Sequence, residues 1–167
     1  LLSRLANDLD LELKITIAED IDELFHMLNR GAGDLVAYGL TITEPRQKQV
    51  NFTEHHYVTH QTLVQRMPDN WRSLPGYKIE KNVVSNTLEL MEDTVWVREK
   101  TSYAERIKNL QNEIGADIPI EHIEGRIPTD EIIRMVVDGE IERTIADYNI
   151  AAINKTYYPI LHIDTRI

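Results

Sequence analysis

The sequence predicts an α/β fold made of two similar helix–strand units. Three observations carry that prediction. Helix-spaced apolar residues alternate with short apolar runs over the first 40 positions. The same alternation resumes at position 94 and continues nearly to the end. The order also echoes itself. Residues 20–38 read helix, glycine, acidic residue, strand, and residues 129–148 repeat it around Gly139. Two such units suggest two lobes with a cleft, and in open α/β sheets ligands sit beyond the carboxyl ends of the strands. Gly39 to Arg46 and Asp147 occupy such positions.

Taken in order, Leu1, Leu2, Leu5, Ala6 and Leu9 recur at helical spacing. Residues 11–17 alternate apolar and polar, the pattern of a half-buried strand. Asp20 is placed to cap a helix carrying Ile21, Leu24, Phe25 and Leu28 on one face, and Gly31 and Gly33 stop it. Residues 34–40 form a short apolar run of the kind buried in parallel sheets. Thr43, Glu44 and Pro45 suit a helix start.

Residues 57–66 read as a long strand, and 67–93 hold turn signals followed by a helical pattern at 79–91. Strand 94–97, helix 102–114, strand 118–123, helix 129–137 ended by Gly139, strand 142–147, helix 148–154 and strand 161–164 complete the chain. The expected division places 1–66 with 150–167 in one lobe and 67–149 in the other, with 67–93 as the crossover.

Composition narrows the function. The 167 residues are 42% hydrophobic and 28% charged, enough for a buried core. With 28 acidic against 18 basic side chains the formal net charge is −10, which argues against gripping a phosphate backbone. The absence of cysteine removes thiolate zinc sites and thiol catalysis. No apolar run approaches the roughly 20 residues of a membrane helix, and no export signal is present. The opening residues read as the inside of a helix, so the expectation is a chain trimmed at its start.

Three constellations offer chemistry. Thr41, Thr43 and Arg46 bring hydroxyls and a guanidinium to a predicted helix start, a carboxylate trap. A capped surface helix with a solvated arginine accounts for the same spacing. Arg98, Thr101 and Ser102 repeat the theme at a strand-to-helix turn, where a cap and a surface charge are the simpler account. Asp147 ends an apolar strand, where it can meet an ammonium or cap the helix that begins at Tyr148. His55, His56 and His60 cluster, but their spacing in or beside a strand does not suit a shared metal ion, so no metal or cofactor is expected. No Gly-rich phosphate loop, nucleophile elbow or His-Glu-x-x-His stretch occurs. Asp and Glu are abundant, yet nothing singles out a glycosidase-type pair.

The stretch GAGDLVAYGLTITEPRQKQVNFTEHHY, with TVWVREKTSYAERI and DGEIERTIADYNIAAIN, resembles the type 2 periplasmic solute-binding proteins. Together these segments are most similar to the regulatory domains of membrane-bound lytic murein transglycosylases of the F type. The resemblance spans nearly the whole chain except 67–90. It implies a two-lobed binding-protein fold, lacking that family's first strand and final helices, with no catalysis of its own. It further implies that Gly39 and Thr41 offer a carbonyl and a hydroxyl to a ligand. Arg46 would clamp its carboxylate, Arg98, Thr101 and Ser102 would contribute from the second lobe, and Asp147 would hold its amino group. Lys100 stands where the family usually has glycine, which puts a side chain at the cleft.

The implied ligand is an amino acid, peptide or muropeptide, in the periplasm or cell envelope. The implied partner is a transglycosylase domain downstream, with membrane attachment only through an anchor outside this sequence. A free-standing amino-acid receptor of an ABC transporter is the alternative.

Overall fold

The computed structural model describes residues 1–124 and 126–167. The chain divides into two compact units, Leu1–His55 and His56–Ile167.

The first unit holds three helices, α1 (Leu2–Asp8), α2 (Ile21–Asn29) and α3 (Glu44–Gln47). Asp20 caps α2 as its position suggests, its side chain accepting the Glu23 N–H at 2.8 Å. Phe25 is the buried residue of that helix. The strands expected at 11–17 and 34–40 are absent, and neither segment joins a β-ladder. All of residues 11–17 are exposed, Ile17 to 91%. Alternation prepares one face for burial, but a strand also needs a neighbour for its N–H and C=O groups. No such neighbour exists in this unit, so the echo between residues 20–38 and 129–148 holds for the helices and fails for the strands.

The second unit is built on a mixed sheet. Its strands among the described residues are β1 (Gln61–Arg66), β2 (Val95–Arg98), β3 (Ile120–Ile123), β4 (Arg143–Asp147) and β5 (Leu161–His162), in the spatial order β3-β2-β4-β1-β5. β2 runs parallel to β3 and β4, whereas β1 runs antiparallel to β4 and β5. The boundaries anticipated at 66 and 150 therefore fall within one sheet, β1 lying before the first and β5 after the second. The strand expected over 57–66 is shorter at its start, beginning at Gln61.

Between β1 and β2 the expected helix at 79–91 is broken. A short helix α4 (Gly76–Glu80) is followed, after a break, by a 3-10 turn at Thr87–Glu92. Local polar groups compete with the helix there. Asn82 Nδ2 bonds the Lys78 carbonyl, and Asn86 and Glu89 form a reciprocal capping box that starts the new turn. Further on, α5 (Ser102–Ile114) keeps its predicted limits, with Thr101 accepting the Ala104 N–H at one end. Gly115 at φ 66° closes the other. The next helices are α6 (Thr129–Asp138) and α7 (Tyr148–Tyr157).

Each face of the sheet has its own core. Leu63, Val95, Val97 and Ile145 meet Tyr103, Ile107 and Leu110 of α5. Val64, Ala146 and Leu161 meet Ile132, Ile133 and Val136 of α6 and Ala151 of α7. Successive β1 residues thus serve opposite faces, as the strand period requires. Two buried polar side chains of β1 are satisfied: Gln65 exchanges two hydrogen bonds with the Val84 backbone at 2.7 and 2.8 Å, and Thr62 donates to the Ile163 and Thr165 carbonyls.

Leu63 is fully buried in β1, so Leu63→Ala should cost about 2–5 kcal/mol through lost contacts and a cavity. Urea unfolding followed by circular dichroism checks this; a change below about 0.5 kcal/mol would remove Leu63 from the core.

Candidate functional site

The predicted site residues fall into two groups, one in each unit. In the first unit, Gly39 is exposed and sits in a tight turn closed by the Leu40 N–H and the Tyr38 carbonyl at 2.9 Å. Thr41 follows, also exposed. Thr43 begins α3 as expected but makes no side-chain cap, and its hydroxyl is buried without a hydrogen-bond partner. Arg46 departs from the solvated arginine that spacing alone allowed. It is only 7% exposed, and its Nη1 donates to the Thr41 carbonyl at 3.0 Å. Among the described residues that is the one hydrogen bond of its side chain, and it has no ion pair.

A guanidinium carries five N–H donors and a full charge. Burying a charge is costly unless it is paired, so a buried arginine with one carbonyl partner is prepared for an anion. Three residues earlier, the orphaned Thr43 hydroxyl can also donate to an anion. Together they suit a carboxylate, the group a planar guanidinium matches with two parallel bonds.

In the second unit, the sheet assembles the other group. Arg98 ends β2, and its Nη1 donates to the Ile127 carbonyl at 3.2 Å. Lys100 turns the chain at φ 56°, a left-handed conformation that glycine adopts without strain. Thr101 is spent on structure. Its hydroxyl donates to the Arg98 carbonyl at 2.7 Å and accepts from Ala104 at 3.4 Å, so it acts as the cap that spacing alone suggested. Ser102 opens α5, and its hydroxyl accepts from Gln61 Nε2 at 3.4 Å.

Asp147 lies opposite Gln61 in the β1–β4 ladder, so their side chains share a face of the sheet. The helix that follows begins without a side-chain cap from Asp147. Instead the Asp147 N–H donates to the Tyr103 hydroxyl oxygen at 3.4 Å, which sets that phenol beside the aspartate. Burial raises the Asp147 carboxyl above its ordinary value, and the hydrogen-bonding capacity of the Tyr103 hydroxyl opposes the rise. Burial also pushes the Tyr103 hydroxyl up to about 12, with the Asp147 charge adding to it. The phenol therefore stays protonated at neutral pH. Next to this pair, the rings of His60 and Tyr148 stack with centroids 4.7 Å apart.

Tyr103, Gln61 and the His60–Tyr148 stack escaped the sequence reading. Tyr103 falls within the helix expected over 102–114 with no role of its own, and its hydroxyl finds a partner 44 residues away. The aromatic side chain directly after the Thr101-Ser102 pair is the one signal that marked it. No cluster of three or more metal-binding side chains occurs among the described residues, and none of their helices is long and apolar enough to cross a membrane.

Residues 1–160 match the family model of bacterial extracellular solute-binding proteins, family 3. The chain is 33% identical over 154 residues to a membrane-bound lytic murein transglycosylase F of Desulfosudis oleivorans, covering 92% of this chain and 30% of that protein. It is 29% identical over 165 residues to the protein of that name from Pseudomonas syringae pv. tomato, covering 98% of this chain and 30% of that protein. The chain thus spans about 30% of the length of these relatives. Among solved structures it is similar to an ancestral arginine-binding protein bound to arginine, with TM-score 0.72 and 19% identity. That match covers 98% of this chain and 65% of the other. It is also similar to an amino-acid ABC transporter substrate-binding protein of Streptococcus pneumoniae bound to L-arginine. There the TM-score is 0.74 and the identity 17%, covering 99% of this chain and 62% of the other. These likenesses show the fold.

The raised Asp147 carboxyl has a consequence for stability. The folded chain holds that proton more tightly than the unfolded chain, so stability falls as pH rises from the ordinary carboxylate value through the folded one. Above both values the penalty is complete. Asp147→Asn should therefore melt higher than the parent at pH 7, with the difference shrinking as the pH drops below the carboxylate range. Calorimetric melting between pH 3 and 7 checks it; a variant melting lower at every pH would show that the charge stabilises the fold.

Proposed function

Because the chain belongs to the bacterial extracellular solute-binding proteins of family 3, we propose that it binds an amino acid, a peptide or a muropeptide in the cell envelope. The observation that carries the choice of ligand is Arg46, a buried guanidinium bonded only to the Thr41 carbonyl among the described residues. Such a group calls for a carboxylate from outside the chain. Asp147, which leaves its helix uncapped, supplies the opposite charge for an amino group. In this reading Arg46, with the Thr41 hydroxyl and the Gly39 backbone, is the carboxylate-binding group of the first unit. Asp147, with Arg98 and Ser102, is the ammonium-binding group of the second unit. Thr101 shapes the turn that presents them. Binding, rather than chemistry on the ligand, is the role of these residues.

We further propose that the module serves a lytic transglycosylase, whose separate domain responds to ligand occupancy. The relatives named for that activity are about three times longer than this chain, which supports the reading. A free-standing receptor for an amino-acid transporter is the second reading. It is favoured by the likeness to the transporter-associated protein of Streptococcus pneumoniae.

A thermal-shift screen of the twenty L-amino acids and of cell-wall peptides tests the proposal. A ligand at 100 times its dissociation constant adds about 2.7 kcal/mol of stability. Arg46→Ala should abolish that shift. A shift that survives the substitution removes Arg46 from the site, and a flat response across the panel removes the ligand class.

A further inference from the structure

We propose that Tyr103 is a positioning residue that holds the Asp147 carboxylate for the ligand's cationic nitrogen, clamping both the main chain and the side chain of that aspartate. The inference rests on the binding role assigned to Asp147 above.

The geometry begins with the ring. Tyr103 is 7% exposed and packs in the core that lines one face of the sheet, so its position is fixed by α5 and not by solvent. Its hydroxyl oxygen accepts the Asp147 N–H at 3.4 Å. That bond uses a lone pair and leaves the phenolic proton available to the Asp147 carboxylate, whose charge the hydroxyl feels. One hydroxyl thus serves two groups of one residue. Asp147 ends β4 at the same place, so the backbone bond fixes where the side chain departs from the sheet.

The alternative employment of Asp147 is closed. A carboxylate at a helix N-cap ordinarily accepts an N–H from the second or third helical residue. Asp147 makes no such bond to α7. Its carboxylate is held by a neutral donor, which keeps its charge and leaves its remaining lone pairs for a cation. A basic residue in place of Tyr103 would neutralise that charge. The other groups around the pair are Arg98, whose charge is felt at the Tyr103 hydroxyl, and the Tyr148 ring, which bears the His60 stack beside Asp147. Gln61 stands across the ladder and donates to Ser102, one residue before Tyr103.

Tyr103→Phe keeps the ring and removes the hydroxyl. The first readout is the titration of Asp147 itself, followed by carboxylate 13C NMR in the parent and in Tyr103→Phe. The midpoint should move upward when the hydroxyl is lost, a change that a merely space-filling ring would not produce. An unmoved midpoint in a variant of unchanged melting temperature overturns the proposal. The second readout is calorimetric binding of L-arginine to the parent, Tyr103→Phe, Asp147→Asn and the double variant. Tyr103→Phe should bind about tenfold more weakly, as loss of one hydrogen bond to a charged group implies. That loss should vanish in the Asp147→Asn background. An equal loss in both backgrounds overturns the coupling. Failure of the parent to bind any member of the earlier panel would sink the ligand reading, while the titration still decides what Tyr103 does.

Discussion

The antiparallel pairing of β1 with β4 is the constraint on which the second unit depends. Its register sets Gln61 opposite Asp147, Leu63 opposite Ile145 and Val64 opposite Thr144. The pairing fills both cores at once, because Leu63 and Ile145 serve one face and Val64 and Ala146 the other. It also fixes the end of the sheet where the candidate residues of this unit lie. The Tyr148 N–H bonds the His60 carbonyl just beyond the ladder, which ties the start of α7 to the residue before β1. A slip of one residue would turn every one of these side chains to the opposite face.

Charge supplies the second theme. A folded chain avoids burying an unpaired ion, yet this chain buries a cation in one unit and half-buries an anion in the other. Arg46 is bonded to a carbonyl, and Asp147 lies against a phenol. Each is supported by a neutral hydrogen-bonding neighbour that orients it without discharging it. Such sites cost stability in the empty protein and recover it when a complementary ligand arrives. A carboxylate complements the first and an ammonium the second.

The sequence disclosed the second unit far better than the first. The limits of α5 were readable because Thr101 and Gly115 are strong local stops, and the strands from Val95 onward have neighbours within the same unit. Residues 11–17 carry as clear an alternation, but a period says which side chains would share a face and not whether a partner strand exists. The segment at 79–91 misled for a different reason. Its apolar spacing suits a helix, while Asn82 and Asn86 bond the backbone locally and divide it. At the site, residue types and spacing pointed to Arg46 and Asp147, but burial and partners decided their condition. Thr101 went to the cap, and Tyr103 became visible only when two distant segments met.

The account is tested most directly by altering the ligand instead of the protein. The tightest-binding amino acid or peptide should be titrated beside the same molecule with a neutral carboxamide in place of its carboxylate. If the Arg46 guanidinium is completed by that carboxylate, the amide should bind about a hundredfold more weakly, the worth of a pair of charge-assisted hydrogen bonds. Equal affinity for the two forms would contradict the account, because the buried cation would then have no part in recognition.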